Sequence, residues 1–585
     1  AAPMLFPMYT IPCELLLQMT TIQPHEQLKA KGDVIIFDPK MGKAAFVSHQ
    51  WTAEDHPDPE LKQLQVMKDA FRHLLHDTGI IPLDPVTEAY VPTAKHLSMQ
   101  EFKSRPLFIW YDYFSCPQLE HRENRSAEGT DLAKAISSIP AYIAQCSFVF
   151  GLCPVLTCQN ESGLLSQATW SRRGWCRLER ALREFSLDDK WVMVKSARSM
   201  EFVGSALQFV SGSVGEGEFT KEEDRKKLAS VLRQAVLRKM MFCLKAQDLP
   251  GYRRHLNLQS TYFRGLRIEP VRDIVPGYEA AKETDSVAEF FYQNGFVSVR
   301  DIDKAGWSPL HYAAMNGDPA LIDGLLRQHA DPNKRTAREQ PKLGCPPWMS
   351  ALDLTMQFKQ NDAARLLIAA RAKLDGPICG PQNYAGVSDN AEGMRLLCAA
   401  GMDPHALDFL NAPAIQACSA YGSIAAMGEV VMHSPHDTVR VSRALVIAMA
   451  GGGGTAEMVV RLLELRADVN HQYQGPNLGS PQGLLAAAKS LQYRCGSTTA
   501  LSSLFYHLPG MTPLMAALLT AQYEAAAALI DSGARLDLKN CRNWTAADFA
   551  KGQSLPDFLV LGLEGDPLEC RRVTSLALAA VYLEI

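Results

Sequence analysis

The sequence predicts two architectures in series: an α/β domain built on a parallel sheet, then an all-α array of helical repeats. Up to about residue 200, short apolar runs rich in β-branched and aromatic residues alternate with amphipathic helical periods, the signature of a sheet covered on both faces. From about residue 300, segments shaped like helix pairs recur along the chain, which signals a repeat array. The length of 585 residues also exceeds what one core holds, at roughly 100 to 200 residues per domain.

Four strands are predicted at 44–51 (AAFVSHQW), 107–115 (LFIWYDYFS), 147–153 (SFVFGLC) and 190–196 (KWVMVKS), each ending in polar or turn residues. Helices fall between them. The segment 59–77 carries Leu61, Leu64, Met67, Phe71 and Leu74 on one face and closes at Gly79; 131–145 carries Leu132, Ile136, Ile139 and Ile143; a third helix runs over about 172–185. The proline-bearing stretch 79–105 reads as an insertion or lid before the second strand. From Ser211 the chain turns Gly-rich (SGSVGEGEF), then charged over 221–227, and a helix is predicted to about residue 244 as an appendage leading out of the domain. Pro250, Pro270 and Pro276 mark 248–300 as a connector. The expected division is an α/β domain at 30–200, a helical appendage and connector at 201–300, a repeat solenoid at 301–560 and a tail at 561–585.

Residues 303–333 (DKAGWSPLHYAAMNGDPALIDGLLRQHADPN) and 510–537 (GMTPLMAALLTAQYEAAAALIDSGARLD) each resemble an ankyrin repeat. The Ser/Thr-Pro-Leu start caps a short first helix, Ala313, Ala314, Ala516 and Ala517 let helices approach closely, and a Leu-Leu or Leu-Ile pair faces inward from the second helix. Weaker copies lie at 350–375, 393–404, 412–428 and 444–470, and 544–550 (WTAADFA) reads as a C-terminal cap. The count is about six, with the middle repeats degenerate and 472–509 an unmatched insertion. The resemblance implies a solenoid that binds a protein partner on its concave face, and a role for His311 as a hydrogen-bonding residue between repeats.

Composition excludes several classes. A formal net charge of -4 with 47% apolar and 21% charged residues argues against a disordered, fibrous or nucleic-acid-binding chain. There are 33 basic against 31 acidic residues up to residue 270 and 26 against 32 beyond it. The repeat half is therefore the acidic one, suited to a basic or neutral partner. Fourteen cysteines stand singly, without metal-ligand spacing, so reduced thiols in a cytoplasmic setting and no metal site are expected. No apolar run approaches the roughly 18 residues that cross a bilayer, so no membrane role is expected. Leu15 to Leu17 adjoin Glu14 without a basic flank, which argues against a signal peptide, and the chain opens on Ala1 rather than Met.

The tract 170–180 (WSRRGWCRLER) gives the first domain a sharper identity. Trp175, Cys176 and Glu179 fit a W-C-x-x-E pattern on the helix after the third strand; the first strand ends in a serine-bearing loop at 46–49, and the second in an acidic turn at 111–113. This arrangement resembles a TIR (Toll/interleukin-receptor) domain over about 150 to 170 residues, and the whole chain resembles ankyrin-plus-TIR-like proteins of unicellular eukaryotes. The resemblance implies a flavodoxin-like parallel sheet, self-association through this domain, and, in enzymatic members, cleavage of the nicotinamide–ribose bond of NAD by the glutamate. NAD would then be a substrate; no cofactor is expected.

On that reading Glu179 is the catalytic carboxylate, stabilising oxocarbenium character on the ribose as carboxylates do in glycosidases. Trp175, Leu178, Leu182 and Phe185 are expected to form the inward stripe, with Glu179 at its edge. Ser48, His49 and Trp51 are expected to line the site, with Trp51 stacked on a base and Asp112 nearby, at the carboxyl edge where such sheets bind ligands. Trp175, Arg173 and Arg177 complete the substrate-binding set, the arginines with Arg172 and Arg180 attracting diphosphate oxygens. A second reading stays open: Glu179 and Arg183 as a surface pair worth about 0.2 to 0.5 kcal/mol, His49 as a structural hydrogen-bonding residue, and Asp112 as a loop cap. The stretch 451–454 (GGGG) is a helix–helix loop, since no Walker Lys-Ser/Thr follows it; 221–227 is a solvated helix face; and the triplet 160–162 (NES) lacks a secretory context.

Overall fold

Short apolar runs pair into a mixed sheet of seven strands: β1 (Tyr9–Pro12), β2 (Ile35–Ile36), β3 (Lys43–Ser48), β4 (Leu107–Trp110), β5 (Phe148–Leu152), β6 (Trp191–Val194) and β7 (Met200–Val203). The computed structural model describes the chain except residues 1, 54, 91–93, 119–128, 159–162, 188–189, 205–211, 279–285, 339–344, 410, 435–436, 478 and 583–585. The 160–162 triplet thus lies outside the described residues. The sheet order is β7-β6-β5-β3-β4-β1-β2. The central four strands are parallel, with Phe46 opposite Trp110, Ser48 opposite Gly151 and Val194 opposite Leu152; β1, β2 and β7 run antiparallel to their neighbours. Counted among themselves, the parallel strands stand in the order 2-1-3-4, so the winding direction reverses between β3 and β5, at a topological switch point.

Both faces of this sheet are covered. On one, Val47, Phe150 and Val192 pack against Leu64, Met67, Phe71 and Leu74 of α1 (Lys62–His76). On the other, Phe46, Trp110 and Trp191 pack against Ile139 and Tyr142 of α2 (Asp131–Gln145) and Leu178 and Leu182 of α4 (Gly174–Phe185), which follows the short α3 (Gln167–Arg172). Burial on both sides is why the strands read as unbroken apolar runs.

Two strands are shorter than their sequence patterns. His49 to Trp51 leave β3, and Asp112–Ser115 form a single helical turn closed by Ser115 N–H donating to Tyr111 O at 2.9 Å. The sheet also extends past 30–200 at both ends, through β1 and β7. The 79–105 stretch folds along the β7 edge: Ile80–Ile81 pairs with Leu97–Ser98, helix Pro85–Tyr90 lies between them, and Phe202 N–H donates to Pro82 O at 2.7 Å.

The predicted appendage is a second layer rather than an exit. Helix α5 (Glu222–Lys245) lies along α4 and buries Leu228, Leu232, Val236 and Met240 completely, in the same core as the sheet face beneath.

The solenoid is more regular than its sequence. Helix pairs Pro309–Asn316/Pro319–Arg327, Ala351–Gln357/Asn361–Ala369, Pro381–Val387/Ala391–Ala399, Ala414–Tyr421/Ile424–His433, Thr438–Gly451/Ala456–Glu464, Pro513–Leu519/Tyr523–Asp531 and Ala546–Ala550/Asp557–Glu564 stack in order. Ser308, Ser350, Thr512 and Thr545 each cap a first helix in a reciprocal capping box. His311 lies within hydrogen-bonding distance of Lys334 O at 3.1 Å, and burial depresses its pKa to about 4, which keeps it neutral between repeats. The expected tail is instead structural: helix Leu568–Tyr582 packs against Tyr523–Asp531 and buries Cys570 and Val573.

The first domain and connector dock on the turns where first helices pass into second ones. Lys195 Nζ donates to Thr520 O at 3.0 Å, Ser199 and Tyr523 share a hydrogen bond of 2.9 Å, Ser260 Oγ donates to Asn316 O at 2.7 Å, and Arg172 lies 3.6 Å from Glu457.

Candidate functional site

The carboxyl ends of β3 and β4 bring four of the expected residues together. His49 Nε2 lies 2.9 Å from Asp112 Oδ1, and Trp51 Nε1–H donates to Asp112 Oδ2 at 2.9 Å, so both carboxylate oxygens are engaged. The His49 ring stacks on Tyr111 at 3.9 Å between centroids, 8° from parallel. Ser48 accepts from Trp170 Nε1–H at 3.1 Å and hydrogen-bonds Glu179, which reaches it from α4. Cys176, one turn before Glu179, directs its thiol to His49 O at 3.6 Å.

The charges follow from this packing. Burial raises the Glu179 pKa to about 8; the Ser48 hydrogen bond and the His49 charge oppose that rise, and the Asp112 charge adds to it. Burial alone would lower His49, but Asp112's charge and hydrogen bond, with Glu179's charge, hold the imidazole above its ordinary value. Burial disfavours the Asp112 anion, yet His49, Trp51 and the Tyr113 N–H together keep its pKa below the usual carboxylate range. Near neutral pH the site therefore pairs an ionised Asp112 with a protonated, neutral Glu179. Two carboxyls held apart in this way suit division into acid and anion roles.

Other expected members lie elsewhere. Trp175 is half-buried and donates its Nε1–H to Asp224 on α5 at 3.1 Å. A helical step of about 100° per residue places Glu179 between Trp175 and Cys176, and the site lies on the Cys176 side. Arg173 donates to Thr220 Oγ1 at 2.6 Å; Arg177 donates to Ser171 O at 2.7 Å and Ser213 O at 3.1 Å; Arg180 donates to Gly212 O at 3.0 Å. These guanidiniums satisfy Ser171 O and carbonyls and hydroxyls of the 212–220 segment, and the charges acting on Glu179 are those of Asp112 and His49. Arg183 is buried and donates to Lys190 O at 2.7 Å and Cys146 O at 3.0 Å, which replaces the surface pair with Glu179.

Sequence reasoning passed over Trp170, Tyr111 and Asp58. Trp170 opens the quoted W-to-R tract, so its position was visible while its N–H partner was not. Asp58 is buried and accepts from Leu64 N–H at 2.7 Å at the start of α1; burial raises its pKa, against the opposing backbone N–H groups of α1 and the His49 charge. A cleft of about 870 Å³ also opens on the α1 side of the carboxyl edge, between Arg72, Val155 and Lys195 and the solenoid's Phe558 and Arg572; Glu179 is not in its lining. Among the described residues, no cluster of His, Cys, Asp and Glu is placed to hold a metal ion, no disulfide joins the cysteines, and no helix is long and apolar enough to cross a membrane.

The ankyrin repeat family model matches residues 305–337. Among solved structures, the chain is similar to the human ASB11 ankyrin repeat domain, at 22% identity and a TM-score of 0.32, covering 44% of this chain and 98% of that one. No curated protein matches the sequence. The match supports ankyrin repeats in this chain, which suggests a protein-interaction role.

Proposed function

We propose that this chain is a signalling scaffold: its ankyrin solenoid binds a protein partner on the concave face, and its TIR-like first domain self-associates or acts on a nucleotide. The partner-binding half rests on Trp348, Leu407 and Phe409, exposed at 48%, 52% and 51% in loops that join successive helix pairs. Large apolar side chains held in water on alternate inter-pair loops are what a partner would desolvate as anchors. Free, singly placed cysteines, nine of the fourteen buried, suit a reducing cytoplasm. The test is affinity capture by the full chain against Trp348→Ala/Phe409→Ala: partners of the solenoid surface are retained by the wild type and lost by the double variant. An identical set on both overturns this surface.

The nucleotide reading is favoured by the convergence of Ser48, His49, Asp112 and Glu179 beside the switch point, together with the W-C-x-x-E resemblance. Cleaving the nicotinamide–ribose bond of NAD leaves positive character on the ribose, and water attack then yields nicotinamide, ADP-ribose and a proton. Glu179 is neutral in the empty site, but a cationic nicotinamide ring beside it favours its ionised form, which then stabilises the developing cation. Asp112 orients His49 and favours its protonated form. Incubation of the full chain with NAD at high protein concentration is expected to release nicotinamide, and Glu179→Gln to abolish the release. No release from the wild type leaves self-association as the first domain's role, read by sedimentation velocity.

A further inference from the structure

We propose that the hairpin of helices Pro481–Arg494 and Ala500–His507 is a releasable clasp that holds the first domain against the solenoid, with Glu88 as its catch. The hairpin belongs to no repeat: helix Thr438–Gly451 packs directly on Pro513–Leu519, so the stack is continuous without it. Its base is fixed to the solenoid, where the His507 ring lies 4.4 Å from Trp544 and 5.1 Å from Phe549. Its far end meets the first domain's own insertion. There Glu88, on helix Pro85–Tyr90, accepts from Lys489 Nζ at 3.0 Å, Thr499 Oγ1 at 2.6 Å and Leu501 N–H at 3.1 Å, with its side chain only 8% exposed.

Thr499 serves both sides. It is the N-cap of Ala500–His507, accepting from Ser502 N–H at 3.1 Å while donating its own hydrogen to Glu88. The carboxylate thus sits on the positive end of that helix beside an ammonium, an arrangement of charge-assisted bonds. Two departures from two different patterns, one in each domain, meet at this point. The contact is polar, as are Lys195 to Thr520 O and Ser199 to Tyr523 across the same divide. A polar contact of this kind opens at modest cost because water replaces the lost partners, while the apolar cluster running through the connector keeps the two halves joined.

The test is hydrogen exchange on the full chain for the wild type, Glu88→Gln and Glu88→Ala, with small-angle scattering alongside. The expected result is exchange of the 501–505 amides about tenfold or more faster in Glu88→Ala, less so in Glu88→Gln, with Pro513–Leu519 unchanged and a larger radius of gyration. Unchanged hairpin exchange in both variants overturns the clasp. So does loss of protection in the solenoid helices together with the hairpin, which would make the hairpin a strut of the stack. The isosteric Glu88→Gln decides the matter should Glu88→Ala fail to fold.

Discussion

Trp170 donates its indole N–H to Ser48 Oγ at 3.1 Å, and this bond sets where the serine's own hydrogen goes. A hydroxyl has one hydrogen to give; with Trp170 occupying an acceptor position, that hydrogen is left for Glu179 or the neighbouring Cys176 sulfur. The Trp170 ring is fixed by Trp191, 5.4 Å away between centroids, and by Gly151, where a Cβ would come within 3.1 Å of either indole. Trp170→Phe is expected to keep the ring packing but free the serine to rotate. Because the Ser48 hydrogen bond favours the ionised glutamate, its loss moves the Glu179 pKa further above about 8. Infrared titration of the carboxyl stretch reads this directly, and Ser48→Ala is expected to shift it in the same direction. An unmoved titration in both variants rules the relay out.

Glu179 also makes stability depend on pH. Its folded pKa of about 8 lies above its ordinary value of 4.5, so the folded state holds a proton that the unfolded chain releases. That contribution is fully present below about pH 4.5 and declines as pH rises through 8. Glu179→Gln removes the dependence. Its urea unfolding free energy is expected to change less between pH 5 and 8.5 than that of the wild type, and the two curves to diverge in the variant's favour at the alkaline end.

The Asp112–His49 pair has the opposite window on its acid side. Asp112 is held below its ordinary value, so its contribution exists above about pH 4 and is lost as pH falls; His49 is held above its own, so its contribution exists below about pH 6.5 and is lost as pH rises. The pair stabilises most between those limits. Asp112→Asn is therefore expected to lower stability most near pH 5 to 6, and less on either side. A pH-independent loss in thermal unfolding would assign Asp112 to loop structure alone.

What was legible in the sequence follows from the range of the interactions. The parallel strands and α1 were readable because burial on both faces leaves unbroken apolar runs, and a 3.6-residue period needs only local pattern. That Ser48, His49, Asp112 and Glu179 lie together was readable because strand ends and one helix carry them to the same edge. The arginines satisfy other groups, Arg173, Arg177 and Arg180 chiefly those of the 212–220 segment and Ser171 O, and a guanidinium's charge says nothing about which acceptor it satisfies. The last helix reads as a tail because 568–582 has no amphipathic stripe strong enough to announce that it caps the stack. The middle repeats looked degenerate because their first helices begin without the Thr-Pro-Leu signal: Gly380 stands at one cap and Pro413 at another, yet the helix pairs form all the same.

Three glycines of the solenoid test how backbone conformation and close approach divide the work. At Gly453 a Cβ would lie 2.3 Å from Gly422 N and from Ser419 O, backbone atoms of the preceding helix pair, so Gly453→Ala forces the two turns apart and is expected to cost about 1 to 3 kcal/mol. Gly452 has open space around it but a φ of +97°, ending helix Thr438–Gly451, and Gly452→Ala is expected to cost about 1 kcal/mol through backbone strain alone. Gly428 lies within helix Ile424–His433 at an ordinary helical φ, with nothing within 4 Å of the missing Cβ, so Gly428→Ala is expected to stabilise by about 0.5 to 1 kcal/mol. Urea midpoints followed by circular dichroism rank the three. The order Gly428→Ala, wild type, Gly452→Ala, Gly453→Ala, from most to least stable, is the one this packing requires; equal effects at 452 and 453 would mean that the turns yield without resistance.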